Sequence, residues 1–281
     1  MRSVASFSGW VEIRPGFTPR PQISHVVFDF DGTLSWLRHG WPGIMCDLFE
    51  SYWPAREGEP REDVSELLLD EILSLNGKAS IHQMIRCAEL VRERGGEAPE
   101  PEALLWEYQR RLDLVILERT ELIRGAQAQR DDFVVWGARG FVERLQERGL
   151  TLIILSGTIE ARVKEEAALL DLARYFGEHV YGGTADAAQS SKRAVMSRLL
   201  GEEQITGEHL VAFGDGPVEI QVAKELGGLA VAVASDEGQN GSGKVDLHKY
   251  KQLAAAGADI VIPDYRDGDA LLERLIAVSA G

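Results

Sequence analysis

The chain has 281 residues, enough for one large or two moderate domains, with 44% hydrophobic residues to build a core and 27% charged residues. A formal net charge of −15 argues against a nucleic-acid-binding surface and against binding to an anionic membrane, and it demands a local cation wherever a phosphorylated ligand binds. Cys46 and Cys87 stand in no metal-ligand or redox spacing, no apolar run reaches membrane-spanning length and Arg2 is followed by no apolar leader, so a reducing, cytoplasmic setting is expected.

Residues 1–23 read as an extension on the surface of the core, with Val11–Ile13 as a short strand and Pro15, Pro19 and Pro21 breaking the chain after it. From His25 to Phe30 an apolar run predicts a buried parallel strand, which stops at Gly32-Thr33. After Leu34 the period turns helical. Helices are expected over 42–53, over 61–75 with Val64, Leu67, Leu68, Ile72 and Leu75 on one face, over 81–94 behind a Ser80 cap, and from Pro101 onward. No strand pattern interrupts residues 42–124.

From about Phe133 strands and helices alternate. Strands are expected at 150–155, 179–181, 210–213, 229–234 and 259–262, with helices at 138–148, 159–170, 192–200 and 218–226. This pattern predicts an α/β fold: a Rossmann-like, doubly wound parallel sheet interrupted by an all-helical insert. The expected division is a core of 1–34 and 133–281 and a helical domain of 35–132.

Four groups of residues carry chemistry. Asp29 and Asp31 leave the first strand together, at the end where open α/β sheets bind ligands; a strand followed by an ordinary Asp-rich turn is the competing reading. Two such close carboxylates resist joint ionisation unless a cation lies between them or one keeps its proton. Leu152–Leu155 runs into Ser156-Gly157-Thr158 and a helix, where a hydroxyl and free amides make an anion site; taken alone, the segment is more simply a plain Ser/Thr cap. Asp215 ends a further strand and Glu219 follows one helical turn later on the same face, a hard-oxygen set suited to Mg²⁺; a turn followed by an acid in the first helical turn is the competing reading. Lys192, in a first helical turn, opposes the helix dipole, which gives weight to a role beyond stability, although a solvated lysine is the commoner explanation of any single lysine.

Together Asp29-Phe30-Asp31-Gly32-Thr33, Ser156-Gly157-Thr158, Lys192 and Gly214-Asp215-Gly216 with Glu219 resemble the haloacid dehalogenase (HAD) superfamily, in its phosphoglycolate phosphatase-like and β-phosphoglucomutase-like forms. The insert looks like its C1 α-helical cap. The resemblance implies a Mg²⁺-dependent phosphatase. Asp29 would be the nucleophile that forms an aspartyl-phosphate, and Asp31 the general acid and then base. Mg²⁺ would be held by Asp29, the Asp31 carbonyl and Asp215, with Glu219, where the family more often has Asp, ligating directly or through water. Ser156, the Gly157 amide and Lys192 would neutralise the phosphoryl oxygens. Asp31 separates this chain from the dehalogenases, which lack that second aspartate.

In relatives with such a cap, a cap loop selects the substrate. Asn76–Ser80 resembles it, with Gly77 and Lys78 nearest the pattern and Lys78 expected to meet a substrate oxyanion. Trp36, Arg38, His39 and Trp41 either line the pocket or serve as hinge packing and solvated rim. The glycine-rich run Gly238–Lys244 fits most of a phosphate-binding loop, but Val245 replaces the Ser/Thr needed for Mg²⁺, and a connecting loop explains it better. The expected partner is a small phosphorylated metabolite, with no nucleic acid and no membrane, and the protein a monomer or homodimer. A phosphomutase acting on a sugar phosphate shares every catalytic residue and stands as the alternative. A receiver-type domain is far shorter, and a non-catalytic regulator has no use for Asp29 beside Asp31.

Overall fold

Strands that are buried on both faces need apolar residues at every position, and the segment His25–Phe28 is buried throughout. It is an interior strand of the sheet in a computed structural model that describes residues 7–75, 79–184, 186 and 188–277. In chain order the elements are β1 (Glu12–Ile13), β2 (His25–Phe28), α1 (Trp41–Glu50), α2 (Arg61–Ser74), α3 (Ile81–Glu93) and α4 (Pro101–Arg124). There follow α5 (Ala138–Glu147), β3 (Thr151–Ile159), α6 (Glu160–Leu169), β4 (Val180–Gly183), α7 (Lys192–Glu202), β5 (Leu210–Gly214) and α8 (Pro217–Glu225). The last elements are β6 (Leu229–Val233), α9 (Leu247–Ala255), β7 (Ile260–Ile262) and α10 (Gly268–Leu275).

The seven strands run in the order β1-β7-β6-β5-β2-β3-β4, all parallel except β1, which pairs antiparallel with β7. This is the expected doubly wound α/β sheet. Neighbouring residues of one strand serve opposite cores: Val26, Phe28, Leu152 and Ile154 face one layer with Phe141 and Leu271, while Val27, Ile153 and Leu155 face the other with Met196 and Ile220. The N-terminal extension is partly absorbed into the sheet. β1 covers the edge of β7, and Tyr250 Oη donates to Glu12 Oε2 at 2.7 Å.

An aromatic group lies beneath the strand ends. Phe28 stacks on Phe213 with centroids 4.9 Å apart, Phe141 meets Phe213 at 5.3 Å, and Tyr265 stacks on Phe141 at 5.2 Å. Burying each such ring stabilises the fold by roughly 1.5–3 kcal/mol. Phe28 precedes Asp29 directly and Phe213 lies two residues before Asp215, so both acids leave the sheet from a rigid base.

The chain separates into an α/β unit, Met1–Leu37 with Ile123–Gly281, and a helical unit, Arg38–Leu122. The helical unit is narrower than the expected insert of 35–132. Trp36 N donates to Phe133 O at 2.8 Å and Val135 N to Leu34 O at 2.9 Å, a pairing that binds both crossing segments to the α/β unit. The helical unit has its own core, which includes Met45, Leu48, Phe49, Leu68, Ile72, Met84 and Leu104. Among the described residues no helix is long and apolar enough to cross a membrane.

Candidate active site

The backbone after β2 closes at once. Ser35 N and Leu34 N both donate to Phe30 O, and Gly32 N donates to Ser35 O at 2.8 Å. Gly32 makes this turn possible, with φ at +73°. It also admits a close neighbour, since a Cβ there would lie 2.1 Å from Asp215 Oδ2. Asp29 N still donates to Phe213 O at 2.9 Å, so Asp29 is held by the sheet although β2 ends one residue earlier. Asp31 is oriented by Thr158, whose Oγ1 donates to Asp31 Oδ2 at 2.9 Å.

Lys192 enters from the start of α7, where the Ser191 side chain accepts from Ala194 N. Its ammonium lies 2.8 Å from Asp29 Oδ1 and 2.8 Å from Glu219 Oε2. Glu219, 2% exposed, is folded back over the turn that ends β5, with Oε1 accepting from Gly216 N at 2.6 Å. Only glycine fits beneath it: a Cβ on Gly214 would lie 2.1 Å from Glu219 Cγ. Asp215 Oδ2 lies 3.0 Å from the ammonium of Lys249, on α9.

Burial sets the electrostatics. It pushes the Asp29 carboxyl up to about 6; Lys192 opposes the rise, and Glu219 and Asp31 add to it. Burial likewise lifts Asp215 to about 6 against the pull of Lys249, with Asp29 and Glu237 adding to it. For Lys192 burial disfavours the charge, but Asp29 and Glu219 outweigh it and hold the ammonium above the ordinary lysine value. Tyr265 is held well above the usual phenol value by burial and then by the fields of Asp215 and Asp29.

The expected Asp29, Asp31, Lys192, Asp215 and Glu219 thus meet at the ends of β2 and β5 and the start of α7. The Ser156-Gly157-Thr158 segment differs from expectation. It does not begin a helix: β3 continues through it to Ile159, and the following helix starts at Glu160. Pairing with β4 resumes at Ile159 opposite Gly183 after a register shift, which draws the segment into the sheet. Ser156 is buried, and its Oγ accepts from Thr158 N at 3.1 Å; Gly157 is exposed.

Trp36 is buried in the core of the α/β unit, which is the packing alternative for this residue. Arg38 opens the helical unit. There the His39 carbonyl accepts from Arg119 at 3.1 Å, and Trp41 packs on the helical core. Gly77 and Lys78, with Asn76, lie outside the described residues. The glycine-rich run is a connecting loop: Asn240 Nδ2 donates to Val134 O and Asn240 Oδ1 accepts from Trp136 N, at 2.8 and 2.9 Å.

Ser235, Glu237 and Lys249 have no place in the sequence reading, and Thr158 stands there only as part of the Ser-Gly-Thr segment, not as the partner of Asp31. Lys249 stands in an ordinary amphipathic helix, where a lysine reads as solvated. One signal was available for Ser235 and Glu237, because both follow β6 on the side where parallel strands present ligands.

A divalent cation fits this donor set. Asp29, Asp215 and Glu219 each bring a carboxylate oxygen within 4.8 Å of the others. Lys192 engages Asp29 Oδ1 and Lys249 engages Asp215 Oδ2, so each aspartate keeps its other oxygen outside these ion pairs. Both oxygens of Glu219 have partners within the protein.

Residues 23–227 match the sequence profile of the haloacid dehalogenase-like hydrolases. No curated protein matches the chain by sequence. Solved structures share its fold. A haloacid dehalogenase-like protein of unknown function from Agrobacterium tumefaciens superposes with a TM-score of 0.63 at 19% identity, over 89% of this chain and 97% of its own. A predicted phosphoglycolate phosphatase from Haemophilus somnus gives 0.57 at 16% identity, over 89% and 98%. A protein assigned as β-phosphoglucomutase from Thermotoga maritima gives 0.54 at 19% identity, over 89% and 99%.

Proposed function

The chain belongs to the haloacid dehalogenase-like hydrolase family, and from that premise we propose that it is a Mg²⁺-dependent phosphatase of a small phosphorylated metabolite. One observation carries this reading: the buried Asp29–Lys192 pair stands directly beside Asp215 and Glu219. Asp29 and Asp215 would hold the cation with their remaining oxygens, together with the Asp31 carbonyl. Glu219 would act from outside that set, because Lys192 and Gly216 N occupy its oxygens. When bound, Mg²⁺ supplies positive charge that offsets the carboxylates and the phosphoryl oxygens.

In the proposed reaction an Asp29 carboxylate oxygen attacks phosphorus. The bond from phosphorus to the ester oxygen breaks, and Asp31 gives that oxygen its proton. Asp31 then takes a proton from a water, which attacks the phosphorus of the aspartyl-phosphate. Phosphate leaves and Asp29 is regenerated. Thr158 holds Asp31 in place for both steps through its 2.9 Å hydrogen bond. Lys192 stabilises charge spreading onto the phosphoryl oxygens, with Ser156 and the Gly157 amide as further donors. We assign substrate choice to the helical unit, which follows the Asp29–Thr33 turn in the sequence, with Gly77, Lys78 and Arg38 as its specificity residues. Sugar phosphates, phosphoglycolate-like acids and nucleotides are the candidate substrates.

The test is a panel of these phosphate esters assayed for phosphate release with Mg²⁺, beside Asp29→Asn. Release from one class is expected, with turnover lowered on the order of 10⁴-fold in the variant. Full activity in Asp29→Asn, or release from none of the esters, would sink the reading. Conversion of a sugar phosphate to its isomer without phosphate release would favour the mutase.

A further inference from the structure

We propose that Lys249 is a positioning residue of the metal site, one that acts by holding Asp215 against the Asp31–Gly32 turn. The inference rests on the metal-dependent reading above.

Lys249 is 3% exposed, although an ammonium is costly to bury. Its side-chain nitrogen meets three acceptors: Asp215 Oδ2 at 3.0 Å, Glu237 Oε1 at 2.5 Å and Ser235 Oγ at 3.1 Å. An ammonium has three protons, so its donor capacity is used up inside the protein. The backbone end is anchored too, since the Asp246 side chain accepts from His248 N and Lys249 N at the start of α9. Such saturation marks an oriented group rather than a lysine folded inward by chance.

The contacts join three pieces of the site. Ser235 Oγ accepts from Lys249 and donates to Gly32 O at 2.8 Å, which ties α9 to the turn carrying Asp31. Asp215 Oδ2 is the atom that would meet a Cβ at Gly32 at 2.1 Å, so the same oxygen lies between the turn and the ammonium. Gripped on both sides, the Asp215 carboxylate cannot turn without losing the Lys249 contact, and its other oxygen is left for a cation. Lys249 also offsets the mutual repulsion of Asp215, Asp29 and Glu237. Lys192 holds Asp29 and Glu219 in the corresponding way. Groups that orient a metal ligand typically change metal affinity by about 10- to 100-fold when removed.

The experiment is calorimetric titration of the full chain with Mg²⁺ alone, comparing the unsubstituted protein, Lys249→Met and Ser235→Ala, with circular dichroism to verify folding. Mg²⁺ affinity is expected to fall about 10- to 100-fold in Lys249→Met and by a smaller factor in Ser235→Ala. Turnover should return at saturating Mg²⁺, so the defect appears in the Mg²⁺ requirement and not in kcat. A merely structural lysine would lower the melting temperature and leave the Mg²⁺ affinity of the folded protein unchanged. Unchanged or tighter binding in a folded Lys249→Met overturns the proposal. Should that variant fail to fold, Ser235→Ala decides, and unchanged affinity there overturns it. No Mg²⁺ binding by the unsubstituted protein overturns the metal reading itself, and this proposal with it.

Discussion

The two units treat charge in opposite ways. In the helical unit, the ion pairs of Glu107 and Glu71 lie at or near the surface. Glu107 accepts from Arg110 and Arg111 at 2.7 and 2.8 Å, and these hydrogen bonds pull its carboxyl down to about 2. Glu71 and Arg86 meet at 2.9 Å with each side chain about a third exposed. In the α/β unit, Asp29 and Asp215 are pushed up to about 6 by burial, although each has a lysine beside it. Glu107 and Glu71 sit where their charge is favoured; Asp29 and Asp215, at the strand ends, sit where it is opposed. Surface pairs of the first kind add little and are replaceable. Buried acids held away from their preferred state are the kind of arrangement that functional sites use.

This contrast can be broken by substitution, beginning with the largest effect. Lys192→Met should lower kcat by about 10²- to 10³-fold, since it removes the cation expected to stabilise the transferring phosphoryl group. Steady-state kinetics on the best ester of the panel would measure it. A loss confined to KM would instead make Lys192 a simple binding group.

Gly32→Ala should come next. Its Cβ would collide with Asp215 Oδ2 and would sit at a φ of +73°. Mg²⁺ affinity should drop by about 10- to 100-fold as Asp215 is displaced. Calorimetry checks it, and retained affinity would show that the turn yields without moving the aspartate.

A pH series sharpens the comparison without mutation. Asp29 and Asp215 stand at about 6 in the fold against an ordinary 3.8. Raised acids favour the metal-free fold at acid pH, and that contribution is lost as pH rises from 3.8 through about 6. A cation must displace the same protons. Mg²⁺ affinity should therefore rise about tenfold per group between pH 5 and pH 7 and level off above. A flat profile between pH 5 and pH 7 would contradict the assignment.

The smallest effect belongs to the helical unit. Glu71→Gln should destabilise it by no more than about 1 kcal/mol and leave Mg²⁺ affinity untouched. Chemical denaturation and the same titration would test both halves of that statement.

The expected site residues differ in how local their signals are. Asp29, Asp31, Asp215 and Glu219 follow apolar runs directly, so a sequence pattern locates them at strand ends. Lys192 was legible because a lysine in a first helical turn opposes the dipole. Ser156–Thr158 misled because a Ser-Gly-Thr run after a strand also suits a helix cap, whereas pairing with β4 extends β3 through it. The domain border shifted for the same reason, since Leu34–Trp36 pairs with Phe133–Val135 across the whole insert. Lys249 had no local signal at all: it lies 34 positions beyond Asp215, in a helix of unremarkable pattern.

By itself the sequence determined the α/β alternation, the helical insert and the acids at the ends of β2 and β5. These depend on periodicity and on short turns, which act over a few residues. Only the tertiary structure decided which cation stands beside which acid. Lys192 between Asp29 and Glu219, Lys249 between Asp215 and Glu237, and Thr158 on Asp31 are contacts between distant segments. They form only when the sheet brings its strand ends together and burial makes an unpaired charge too costly to leave alone.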